Sequence, residues 1–242
     1  MISVRNLVKS YGDVRAVRDI SFDARDGRIT ALLGPNGAGK STTLRILSTV
    51  AEPDSGRAEI AGVDITEQPM EVRRHIGVLP HNSGLYARLT AVENTRYYGQ
   101  LQNISAQDLE PRIEALVEQL DMPDFCNRRT AGFSQGQKIK VALARALVHD
   151  PHYVILDEPT NGLDVMATRA LREMVYNLKQ AGKCVLFSSH IMQEVDALCD
   201  DVVVIGSGQI RFDGTISALR EHAGTDNLED AFVQMAGLGD SQ

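Results

Sequence analysis

Short apolar runs alternate with polar breaks along the first third of the chain. "SVRNLVKSYG", "VRDISFDA" and "RITALLG" read as strands parted by Gly and Asp. "GPNGAGKST" follows, and a helix is predicted from Thr42 to about Val50. "GRAEIAGVDI" predicts a small hairpin, and "RHIGVLP" a buried strand ended by Pro80. Near Leu85 the period changes. Leu109, Ile113, Leu116, Val117 and Leu120 recur at helical spacing, so most of Thr90–His149 is predicted helical. At Tyr153 strands return as "YVILDE", "CVLFSSH" and "DVVVIGSG". A helix with Leu171, Met174, Val175 and Leu178 on one face separates the first two. The pattern predicts an α/β core interrupted by a helical insert. "NLEDAFVQMAG" predicts a short amphipathic helix near the end, and there are no repeats.

Composition narrows the class. With 242 residues, 43% hydrophobic and 24% charged, the chain can bury a sizeable core. A net charge of −7 without a Lys/Arg cluster argues against nucleic acid as partner. Cys126, Cys184 and Cys199 are odd in number and lack metal spacing, which predicts free thiols in a reducing compartment. The start "MISVRNLVKSYG" has no signal-peptide pattern, and apolar runs such as "VVVIG" are too short to span a bilayer. The expected location is cytosolic, with membrane contact only through a partner.

The chemistry concentrates in two places. Gly34, Pro35, Asn36, Gly37, Ala38, Gly39, Lys40 and Ser41, followed by Thr42, match G-x-x-x-x-G-K-[ST] between a predicted strand and helix. Such a loop points backbone N–H groups at a phosphate, and the helix dipole favours the negative charge. Lys40 is placed to reach β- and γ-phosphates, and Ser41 offers a hard oxygen to Mg²⁺. Later, "YVILDEP" sets Asp157 and Glu158 at a strand end, where sites of parallel α/β sheets lie. Asp157 is expected in the Mg²⁺ shell and Glu158 as general base for an attacking water. His190 ends "CVLFSSH" on the same edge, with an imidazole for the γ-phosphate and the water.

A second polar loop, "GFSQGQK", opens the helical run "IKVALARALV". The order "GPNGAGKST", "FSQGQ", "VILDEPTNGLD", "SSH" resembles the nucleotide-binding subunit of an ATP-binding cassette (ABC) transporter over nearly the whole chain. The resemblance implies an α/β P-loop NTPase fold: a mostly parallel sheet, a small antiparallel β subdomain and an inserted helical signature subdomain. It divides the chain into 1–84 with 150–212 as the ATPase core, 85–149 as the helical subdomain and 213–242 as a C-terminal extension. It further implies that the signature loop holds the ATP of an opposite subunit. Ser134, Gln135, Gly136 and Gln137 then serve in trans, with Asp164 linking the two sites of a head-to-tail homodimer. Tyr11 takes the place of the aromatic that stacks on adenine. The family's usual signature is Leu-Ser-Gly-Gly-Gln; Phe133 and Gln135 depart from it. His81 stands where the family has a Gln that touches Mg²⁺ and water. Imidazole is a poor Mg²⁺ ligand, so His81 is expected to act on a bound water instead.

"GLYARLTAVENTRYYGQL", "LPHNSGLY" and "LEDAFVQMAG" are similar to bacterial exporter ATPases, in the branch of sodium exporters and their drug- and lipid-exporting neighbours. The resemblance implies ATP as substrate, Mg²⁺ as cofactor, hydrolysis to ADP and phosphate, and a separate transmembrane permease. That permease is expected near His81–Tyr86 and the helical subdomain, holding the chain at the inner face of the membrane. The alternative is a soluble cassette ATPase that powers assembly without a membrane partner.

Overall fold

The computed structural model describes residues 1–236, so the last residues of the C-terminal stretch lie outside the described residues. Two sheets carry the fold. The smaller is antiparallel, in the order β2 (Val14–Ala24), β1 (Ile2–Tyr11), β4 (Ser55–Ile60), β5 (Val63–Asp64). The larger runs β10 (Gln209–Thr215), β9 (Asp201–Gly206), β3 (Ile29–Leu33), β8 (Cys184–Ser189), β7 (Tyr153–Asp157), β6 (Ile76–Leu79). Only β10 is antiparallel in it.

The four inner strands of the larger sheet are apolar runs because both faces are covered. Alternate residues sort to opposite sides. Leu32, Ile155, Leu186 and Val203 pack with the small sheet and with α1 (Lys40–Leu47) and α2 (Pro69–His75). Ala31, Leu33, Leu156, Phe187 and Val204 pack against the other side. That side carries α3 (Ala91–Leu101), α4 (Ala106–Gln119), α5 (Gln135–Leu147), α6 (Val165–Gln180), α7 (Met192–Leu198), α8 (Ile216–Ala223) and α9 (Leu228–Ala236). Capping boxes start two of these helices, Thr90 with Glu93 for α3 and Ser134 with Gln137 for α5.

Two boundaries differ from the sequence pattern. The first helix begins at Lys40, not Thr42, because Gly39 takes φ 107° and turns the chain directly into the helix. It ends at Leu47, not Val50, because Thr49 adopts a left-handed φ of 58°. The short helix α2 was not anticipated; its charged surface leaves one buried residue, Val72, as the apolar signal.

Candidate active site

The register of the larger sheet assembles the site. Leu33 of β3 pairs with Ser189 of β8, and Asp157 of β7 pairs with Ser188. The segments leaving β3, β7 and β8 therefore meet at one edge: the glycine loop, Asp157–Glu158, and Ser189–His190.

Glycine at position 39 is required twice over. Its φ is left-handed, and a Cβ there would stand 2.4 Å from the carbonyl oxygen of Ala16 on β2. That contact seats the loop on the small sheet. Lys40 is buried, and its Nζ donates to the carbonyls of Gly34 at 2.7 Å and Pro35 at 3.2 Å. Burial lowers the pKa of this ammonium, against the opposing pull of Glu158 and Asp157. The Ser41 hydroxyl donates to Asp157 Oδ1 at 3.1 Å, and Ser188 donates to the same oxygen at 2.7 Å. Ser188 also accepts the N–H of Glu158 at 2.9 Å. Glu158 adopts φ 48°, an uncommon conformation for a side chain branching from L-backbone. Around its carboxylate stand Lys40 Nζ at 3.7 Å, His190 Nδ1 at 3.4 Å and His81 Nδ1 at 3.8 Å.

A cleft of about 470 Å³ runs from this cluster along Asn36, Gly37 and Thr42 to Val14, Arg15 and Arg18 on β2. Tyr11 lies outside that lining but pairs with Val14, and both side chains are exposed at its outer end. The donor set fits a nucleotide and Mg²⁺. The loop offers N–H groups and an ammonium, and Ser41 and Asp157 present two hard oxygens side by side. Among the described residues no group of three or more His, Cys, Asp or Glu forms a metal cluster, so substrate oxygens and water would complete a Mg²⁺ shell.

The second polar loop does not line the nucleotide cleft. Ser134 is exposed and caps α5, accepting the Gln137 N–H at 3.3 Å. Phe133, the departure from Leu, is buried edge-on against Phe125 with centroids 5.2 Å apart. Gly136 faces Leu163 and Ala167, so the signature loop packs beside the "NGLD" loop of its own chain. Asp164 caps α6 through Ala167 N at 2.8 Å and is exposed. Gln135 shares a cavity wall with His81, Asp157 and Glu158.

Two residues escaped the sequence reading. Ser188 is the hydroxyl that ties Asp157 to the Glu158 backbone; its signal was the "SS" before His190. Arg145 on α5 is buried and donates to the carbonyls of Ser83 at 2.7 Å and Gly84 at 3.2 Å. Its only sequence signal was a charge on the apolar face of "VALARAL".

These elements define a P-loop ATPase cassette. The chain belongs to the ABC transporter family, whose family model matches residues 17–161. It is 42% identical over 238 residues to the ABC transporter ATP-binding protein NatA of Bacillus subtilis (strain 168), covering 96% of this chain and 97% of that one. It is 33% identical to the linearmycin resistance ATP-binding protein LnrL of the same organism, covering 94% and 73%. It is also 36% identical to the Nod factor export ATP-binding protein I of Burkholderia orbicola (strain AU 1054), covering 99% and 79%. Among solved structures, an ATP-binding subunit of an ABC transporter superposes with TM-score 0.90 at 30% identity, over 97% and 99% of the chains. A dimeric bacterial ABC transporter cassette, MJ0796, superposes with TM-score 0.81 at 25% identity, over 89% and 98%. The chain is therefore an ABC-type ATP-binding and hydrolysing subunit, and its fold class is as the sequence indicated.

Proposed function

We propose that two copies of this chain bind two ATP molecules head to tail and drive efflux through a separate membrane permease. The observation that carries the reading is the meeting of Lys40, Ser41, Asp157, Glu158 and His190 at the carboxyl ends of three adjacent parallel strands. In this reading Gly34–Thr42 cradle the phosphates and Tyr11 stacks on adenine. Ser41 and Asp157 would hold Mg²⁺, which when bound neutralises phosphate charge. Glu158 takes the proton of the attacking water, and His190 orients that carboxylate and the γ-phosphate. His81 faces the other oxygen of Glu158. Ser134, Gln135, Gly136, Gln137 and Asp164 act on the partner's ATP; their exposure on the free chain supports this for Ser134, Gln135 and Asp164.

The division into an ATPase core (1–84 with 150–212), a helical subdomain (85–149) and a C-terminal extension (213–242) belongs to the same proposal. So does peripheral attachment at the cytoplasmic face. No helix among the described residues is long and apolar enough to cross a membrane. A groove of about 270 Å³ lined by Val50, Arg73, Tyr98 and Arg145, beside exposed Tyr86 and Tyr97, supports docking of a permease loop next to His81–Tyr86. The "LPHNSGLY" loop and the altered signature favour sodium as cargo.

The test is affinity capture of the full-length Glu158→Gln chain, with ATP and Mg²⁺, from detergent-solubilised membranes of its own host. An integral membrane protein in stoichiometric yield is expected. Efflux of ²²Na⁺ from vesicles holding that complex then tests the cargo. Recovery of the chain only from the soluble fraction would overturn the transporter reading in favour of a soluble ATPase.

A further inference from the structure

Glu194 is a buried carboxyl that the site as described does not use. It lies on α7, four residues past His190, with 5% of its surface exposed. No Lys, Arg or His stands within ion-pair distance of it among the described residues. Its Oε2 instead accepts two hydroxyls, Thr160 Oγ1 at 2.7 Å and Ser189 Oγ at 3.1 Å. Those hydroxyls belong to different strand exits. Thr160 follows Glu158 by two residues on the way from β7 to the "NGLD" loop. Ser189 directly precedes His190, and its oxygen also receives the Ile191 N–H at 3.0 Å. A carboxyl without a cation is costly to bury, and a helix that merely packed here would be served by an apolar side chain.

We propose that Glu194 is a positioning residue for hydrolysis, clamping the segment after Glu158 to the segment before His190. The proposal rests on the roles assigned above to those two groups. Glu158 sits at a left-handed φ that the surroundings must hold in place. Upstream, Ser188 holds its N–H; downstream, Thr160 is held by Glu194. The same carboxyl fixes the approach to His190, so the 3.4 Å spacing of His190 and Glu158 depends on both hydroxyl contacts. The clamp also joins the His190 turn to the loop leading to Asp164.

The experiment measures kcat, KM for ATP and melting temperature in Glu194→Ala, Glu194→Gln, Thr160→Val and the Glu194→Ala/Thr160→Val double variant, with Glu158→Gln as reference. Glu194→Ala is expected to lower kcat by at least about 10-fold with KM within about twofold, as misplacement of a reacting group does. Glutamine keeps one oxygen able to accept both hydroxyls, so Glu194→Gln should recover kcat to within about threefold of wild type. The double variant should be no slower than the slower single one, because both remove the same clamp. Wild-type kcat in a folded Glu194→Ala protein would overturn the proposal, as would losses that multiply in the double variant. If Glu194→Ala does not fold, Thr160→Val decides: an unchanged kcat rejects the clamp. Near-normal hydrolysis by Glu158→Gln would instead reject the roles on which it is built.

Discussion

Lys40 Nζ stands 3.7 Å from Glu158 Oε1 in a buried space that two backbone carbonyls also share. The ammonium assigned to the γ-phosphate and the carboxylate assigned as base are thus direct neighbours in the fold. Glu158→Gln keeps the shape of this contact and removes the proton acceptor. ATP binding should persist, while turnover falls by at least about 100-fold, the low end for a lost general base. Fluorescent-nucleotide binding and phosphate release measure the two arms. Near-normal phosphate release would remove Glu158 from the role.

Ser134 and Lys40 belong to different composite sites if the signature loop acts in trans. A Ser134→Arg chain mixed with a Lys40→Ala chain should then retain one competent site, built from the Lys40 of the first and the Ser134 of the second. Ser134→Arg alone should form none. Sedimentation with ATP and Mg²⁺ reads the dimers. A Ser134→Arg protein that dimerises as tightly as wild type contradicts the assignment.

The parts of the site that were legible in the sequence are those whose chemistry is contiguous. The glycine loop carries its own turn, cradle and ammonium in eight residues, and Asp157–Glu158 end an apolar strand. What was not legible depends on juxtaposition across strands. Ser188 matters only because β7 and β8 lie side by side in a register that no local pattern encodes. Arg145 reads as a stray charge until the loop at Ser83–Gly84 folds over it. The helix ends at Lys40 and Leu47 followed from backbone conformations of Gly39 and Thr49 that hydrophobic periodicity does not register. The two-sheet order likewise rests on pairings between distant segments.

His149, just past α5, links stability to pH. Its Nε2 lies 3.0 Å from the Ile76 carbonyl oxygen, which makes that nitrogen the N–H donor. Its Nδ1 is buried without a partner. Burial holds the imidazole below its usual pKa; Asp150 pulls the other way, and Lys183 and Arg112 reinforce the depression. Below the ordinary histidine value of about 6.5, the unfolded chain binds a proton that the folded chain resists. Stability is therefore full above that value and declines as pH falls toward the folded pKa. His149→Gln supplies an N–H without a titrating ring. Between pH 7.5 and 5.5 its melting temperature should fall less than that of wild type; parallel curves would refute the linkage.

Arg145 should be the anchor of the loop that carries His81. It is a buried cation held without a carboxylate: the Ser83 and Gly84 carbonyls take its N–H groups, and its guanidinium lies 4.4 Å from the Tyr98 ring centroid. Burial lowers its pKa, countered by Tyr98 and Tyr86. Asn94 fixes the next point, bonding both backbone groups of Tyr86. Between these anchors and Pro80, His81 and Asn82 are exposed. A lysine has the charge but not the planar fork that spans two carbonyls while stacking on an aromatic face. Arg145→Lys should therefore cost about 1–3 kcal/mol, the range for orphaning buried hydrogen-bonding groups. Urea unfolding measures that loss. Hydrogen exchange locates it: amides of 81–86 should exchange faster, while the strands β1 and β2 keep wild-type protection. The same exchange at 81–86 in both proteins would show that the loop holds itself and that Arg145 serves only the packing of α5.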